Sequence, residues 1–156
     1  MKFDGVNDCK YVMGLVPIVK TGDTNCAVID HQGAHAIEHL VFIGANGDTF
    51  SGSVKIDLKL QDGTASDGSD MAAVTDANDV VIPANSHGGQ GVIAAPSATG
   101  VVATIDANGE TSLLYRIGYK GSKRYSRMVL DFTGTHTNGT ICGEYAKLDM
   151  VEIRPA

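Results

Sequence analysis

The segment SVKIDLKLQ (53–61) alternates without a break, with Val54, Ile56, Leu58 and Leu60 on one side of an extended chain and Lys55, Asp57 and Lys59 on the other. Period two is the pattern of a strand that lays one face on a core. The chain has 19 glycines in 156 residues, and Asn-Gly, Asp-Gly and Gly-Ser pairs cut it into short pieces. Such punctuation belongs to an all-β domain. Nowhere are apolar residues sustained at i, i+3, i+4 and i+7 over three turns, and SDMAAVTDAND (69–79) has room for one short helix at most.

Further strands follow from the same reading. AHAIEHLVFIG (34–44) ends in a continuous apolar run, as a strand covered on both sides does, and stops at the turn GANGD. GVVATIDANGETSLLYRIGYKG (100–121) holds two β-rich runs joined by Asp106, Ala107, Asn108 and Gly109. Asn-Gly supplies the positive φ of a tight turn, so a hairpin is expected there. A meander is expected to continue it: SLLYRIGYK, a Gly-Ser turn at 121–122, KRYSRMVLDFTG, the loop THTNG, and TICGEYAKLDMVEI. On the middle strand, Arg124, Ser126, Met128, Leu130 and Phe132 share one face, and Tyr125, Arg127, Val129 and Asp131 share the other. PANSHGGQGVIAAPSATG (83–100) reads as a long surface loop, a kind of segment that often carries function. Residues 1–25 have weak periodicity and are expected to form an extended N-terminal arm, with the domain over 26–156.

The length suits one domain. Hydrophobic residues at 43% and charged residues at 19% exclude a disordered tail, and no apolar run is long enough to span a membrane. The start MKFDGVNDCK lacks a basic region followed by an apolar one, so export through a signal peptide is not expected. Cys9, Cys26 and Cys142 are odd in number and form no CxxC pair, which argues against a disulfide framework or a zinc ribbon. They are expected as free thiols made in a reducing cytoplasm, with a Cys9–Cys26 bridge as the alternative.

His31, His35 and His39 recur every four residues. A metal site needs imidazoles converging on one ion, and a strand separates residues four apart by about 13 Å. No metal is expected. DGTASDGSD (62–70) places three aspartates among glycines, but its spacing does not match the calcium loop, and a solvated hairpin turn is expected instead. HGGQG (87–91) contains neither the P-loop nor the dinucleotide-binding pattern. No G-x-S-x-G element marks a nucleophile. The chain has no Trp and only 6% aromatic residues, which leaves few platforms for sugars or bases. Neither an enzymatic site nor a cofactor is expected.

Positive charge is concentrated in one place. Arg116, Lys120, Lys123, Arg124 and Arg127 fall within twelve residues of a chain whose formal net charge is −6. Residues 1–111 carry −9 and residues 112–156 carry +3. The cluster suits three roles: protection of a sheet edge, a nucleic-acid patch, or a docking surface for an acidic partner or a neighbouring subunit. Nucleic acid fits worst, because the chain as a whole repels it and only Tyr119 and Tyr125 interleave the cations.

Those residues also carry a resemblance. Tyr119, Gly121, Lys123, Arg124, Tyr125, Arg127, Thr133 and Gly134 form a Y-x-G-x-K-R-Y-x-R block ending in Thr-Gly, followed by a last strand that ends near Arg-Pro. Upstream stand AVIDHQGAHAIEHLVFIGANGD and KLQDGTASDGSDMAAVTDANDVV. Together these segments resemble a group of small tailed-bacteriophage virion proteins, some of which act as head decoration, or cement, proteins. The resemblance implies a single antiparallel β-sandwich or jelly-roll-like domain, often a homotrimer, on the outer capsid surface at junctions of the major capsid protein. It implies no catalytic residue and no membrane partner, and production in the cytoplasm of a bacterial host. A tail or head-to-tail joining component, or a carbohydrate-binding sandwich serving host adsorption through the 83–100 loop, are the alternatives. The five cations are the candidate partner interface.

Overall fold

The structure, a computed structural model, describes residues 8–84 and 88–150. The chain forms an all-β sandwich of two antiparallel sheets. The first sheet runs in the order β1 (Cys9–Lys20), β11 (Thr140–Met150), β4 (Ala34–Asn46), β9 (Leu113–Tyr119) and β7 (Val80–Val81). The second is built on β5 (Lys55–Gly63) and β10 (Tyr125–Thr133), paired along nine residues. Short β2 (Thr24–Asn25) and β3 (Ile29–Asp30) line the far side of β10. Similarly, β6 (Ala72–Ala73) and β8 (Val101–Ile105) line the far side of β5. No helix among the described residues is long and apolar enough to cross a membrane.

The alternation of 53–61 is used as expected: Ile56, Leu58 and Leu60 are fully buried and share one core with Met128 and Leu130 of β10 and Val41 and Ile43 of β4. Full burial of such a side chain contributes about 1.5–3 kcal/mol. The buried run of β4 fits its position, since β11 and β9 flank it on either side. The 62–70 segment is the turn between β5 and β6, closed by Asp70, whose carboxylate accepts from the Thr64 amide and hydroxyl and the Ala65 amide. The 69–79 segment contributes β6 and, as its one helical turn, the 3₁₀ turn Ala77–Asp79.

Three expectations are corrected. No hairpin joins β8 to β9, because β8 pairs with β5 in one sheet and β9 with β4 in the other. Asn108 and Gly109 sit in the 3₁₀ turn Asn108–Glu110. There the Glu110 carboxylate accepts from the amides of Asp106 and Ala107, and the Asn108 side chain accepts from Phe50. Side-chain acceptors thus hold a corner between sheets where local sequence favours a tight turn. The 112–153 meander is not formed either: β9, β10 and β11 fall in the first, second and first sheet in turn, so each connection crosses the core. Finally, Cys9–Lys20 is extended but pairs with β11 from Cys9↔Asp149 to Lys20↔Thr140, which brings into the sandwich much of the segment read as an arm. Its inward side chains, Val12 and Leu15, pack on the core and explain the pairing. Residues 1–7 of that segment, and the end of the last strand from 151 with its Arg-Pro, lie outside the described residues.

Two register shifts surround Gly14 and Leu15 in β1. A Cβ on Gly14 would lie 1.3 Å from Oε2 of Glu144, so only glycine leaves space for that carboxylate. Residues 85–87, including His87 of HGGQG, lie outside the described residues, and the described part of 83–100 contains no strand. It packs onto the sandwich through buried Ile93 and the hydrogen bond from the Ala94 amide to Val102 O.

Candidate partner interface and the polar network beneath it

The five cations do not form one patch. Because β9 and β10 belong to different sheets, Arg116 and Arg127 point outward from opposite faces of the sandwich. Arg116 donates to Glu38 on β4, and Arg127 donates to Gln61 on β5 at 2.8 Å. Edge protection does not account for the cluster, since β10 has neighbours on both sides and β9 is flanked by β4 and β7.

Lys120, Lys123 and Arg124 stay together at the corner that carries the chain from one sheet to the other. Arg124 grips Asp30 through two nitrogens at 2.9 and 2.8 Å, reaches Gln32 at 2.6 Å, and lies over the Tyr125 ring. The Arg124 hydrogen bonds hold the Asp30 carboxyl down at about 2. Among the described residues, Lys120 and Lys123 make no ion pair. The corner rests on Tyr119, whose hydroxyl donates to Asp62 at 2.8 Å and accepts from the Lys123 amide at 3.2 Å. A pocket of about 390 Å³ opens between this corner and the 31–35 turn, with His31 and Tyr119 in its wall.

Behind His31 lies a constellation that local motifs do not announce. Ser126 on β10, His39 on β4 and Glu144 on β11 are buried and meet across the two sheets. Nδ1 of His39 is 2.8 Å from Glu144 Oε1, Nε2 of His39 is 2.7 Å from Ser126 Oγ, and Nε2 of His31 is 2.6 Å from the same oxygen. A proton on His39 Nδ1 donates to Glu144, the Ser126 hydroxyl donates to His39, and His31 donates to Ser126. The order is that of a nucleophile, base and orienting acid. However, Ser126 and His39 expose no surface, and two imidazoles already occupy the hydroxyl, so no substrate reaches it in this conformation. What the arrangement does is join the sheets by polar contacts between the main core and a smaller cluster of Ile29, Ala146 and Leu148.

His31 and His39 therefore converge, but on a hydroxyl, because His31 precedes β4 in the turn that crosses between sheets while His39 lies within the strand. His35 is exposed at the pocket. No group of three or more His, Cys, Asp or Glu residues is placed to hold a metal among the described residues. The three cysteines are free. Burial pushes the Cys142 thiol up to about 12 and raises Cys26 further, while the bond to Asp149 raises Cys9.

The fold and this site define a β-sandwich with a basic corner pocket above a sealed inter-sheet network. No family model, curated protein or solved structure matches the chain.

Proposed function

We propose that this chain is a non-enzymatic structural protein of a tailed-phage virion, a head decoration protein that binds the outer surface of the major capsid protein and associates with copies of itself. The observation that carries the reading is the outer flank of β1. Tyr11, Met13, Val16, Ile18 and Val19 are each at least half exposed, and Ile141 on β11 adjoins Val19. A contiguous apolar strip of this kind on a folded domain marks a protein contact.

The strip suits a neighbouring copy of the chain better than an added strand. Pro17, the two register shifts and the hydrogen bond from the Ala27 amide to Gly14 O interrupt the edge that an added strand would need. Between Lys10 and Lys20 it carries no charge, the character of a stable subunit interface with a polar rim. The resemblance of the 119–134 block to phage virion proteins supplies the biological setting. The sealing of Ser126 favours a binding role over hydrolysis.

Immunogold labelling of gradient-purified particles, with antibody raised against the recombinant chain, tests the reading. Label spread evenly over heads is expected; label confined to tails, or absent from particles, overturns it.

A further inference from the structure

The pocket beside the basic corner has the features of a receptor for one particular chemistry. We propose that it receives a carboxylate side chain from an acidic segment of a protein partner, held by Lys120 and Lys123 over His31. The protein nature of the partner rests on the assembly role proposed above; the carboxylate specificity rests on the pocket itself.

Charge is the first argument. Lys120 and Lys123 are exposed and have no carboxylate partner within ion-pair distance among the described residues, and the Asp30 carboxylate is already committed to Arg124. The mouth thus retains two uncompensated cations on a molecule of net charge −6. A local field of that sign steers an acidic segment to this corner and away from the rest of the surface.

Rigidity is the second. The Lys120 amide donates to Asp79 O at 2.9 Å, and the Lys123 amide to the Tyr119 hydroxyl, which Asp62 holds in turn. Gly121 lies so close over that hydroxyl that a Cβ there would sit 2.5 Å from it. The backbone carrying both lysines is fixed before a ligand arrives, which lowers the ordering cost of binding.

The pocket wall supplies the third. His31 is more than nine-tenths buried, and its Nδ1 has no hydrogen-bond partner. Its other nitrogen is anchored on Ser126. With Nε2 donating to Ser126, Nδ1 is an acceptor, and a backbone N–H of the entering acidic segment can supply the missing donor.

The same features disfavour phosphate and nucleotides. Bidentate grip on phosphate is the property of a free guanidinium, and Nε and Nη2 of Arg124 are already engaged by Asp30 and Gln32. Tyr119 and Tyr125 are buried and offer no open ring for a base.

The test is a ¹H–¹⁵N titration of the full chain with blocked hexaglutamate, with blocked hexalysine and inorganic phosphate as comparison ligands. Hexaglutamate is expected to shift the amides of residues 31–35 and 120–124, with affinity falling at least tenfold between 25 and 300 mM NaCl through screening, about the range over which exposed charges lose contact. The Lys120→Ser/Lys123→Ser variant should bind at least tenfold more weakly while keeping its melting temperature, since neither side chain makes an internal ion pair. Unchanged affinity in that variant, shifts centred elsewhere, or tighter binding of phosphate at the same amides would overturn the proposal. Self-association through β1 is read separately by sedimentation, so loss of one result leaves the other standing.

Discussion

Nε2 of His39 lies 2.7 Å from the hydroxyl of Ser126, so a side chain of the first sheet and one of the second meet at the centre of the sandwich with no surface exposed. Buried polar atoms are costly when they lose a partner. Ser126→Ala leaves two imidazole nitrogens facing a methyl group, and a loss of about 1–3 kcal/mol is expected in urea unfolding. Glu144→Gln should cost a similar amount, and the two changes should be non-additive, because they act on one chain of contacts. Strict additivity would show that the network is not a unit.

Gly14 is the most sensitive glycine of β1. Gly14→Ala drives a methyl group into the Glu144 carboxylate and should destabilise the protein by about 2–4 kcal/mol, combining overpacking with damage to the network. Gly22→Ala, where a Cβ meets nothing within 4 Å, serves as the control and should be near neutral. Equal melting temperatures for the two variants would contradict the role given to the bulge.

Stability should fall between pH 6.5 and 4. Burial, helped by neighbouring His39, lowers the pKa of His31 from 6.5 to about 4. The Lys123 backbone at the corner and then Asp30 from β3 oppose this, while Tyr119 from β9, Ser126 from β10 and Arg124 from the corner surround the ring. Across that window the unfolded chain binds a proton that the folded chain refuses, so the contribution of His31 is complete above pH 6.5 and lost on descent to 4. With allowance for the partly hydrated surroundings, about 1–2 kcal/mol is expected. Below pH 3.8 a separate loss follows, as Asp30 and Asp70, both held at about 2, take up protons. His31→Gln should flatten the upper limb in urea unfolding at pH 7, 5.5 and 4.5; an unchanged slope would contradict the assignment.

The thiols should be slow to alkylate. At pH 8 iodoacetamide is expected to modify Cys9 slowly and to reach Cys26 and Cys142 only after denaturation, because burial and raised pKa both withhold the thiolate. Mass spectrometry of the native protein checks this, and rapid labelling of Cys26 would contradict its place in the core.

Self-association should depend on β1. Val16→Asp/Ile18→Asp places two charges in the exposed apolar strip without touching the core, and sedimentation should show smaller species than the parent chain. An identical distribution for both would remove the strip as the subunit contact.

Strands β4 and β5 were legible because their burial is written in local alternation. Which strands pair was not, since Asn108 and Gly109 promise a hairpin that non-local acceptors override. The cation cluster was visible as composition but not as geometry: two of its members point to opposite outer faces because consecutive strands change sheets. The inter-sheet network left a fainter signal. Ser126 shares the face of Met128 and Leu130, His39 lies between Ile37 and Val41 in alternation, and Glu144 between Cys142 and Ala146. Polar residues at core-facing positions on three separate strands have to find one another, and that parity was the clue.

The most direct measurement is electron cryo-microscopy of particles that carry this chain. The account predicts density for the sandwich over the head shell, with β1 flanks packed between copies and the Lys120–Arg124 corner against an acidic surface of the capsid protein. Density on the tail alone, or on heads with that corner facing solvent, would contradict it.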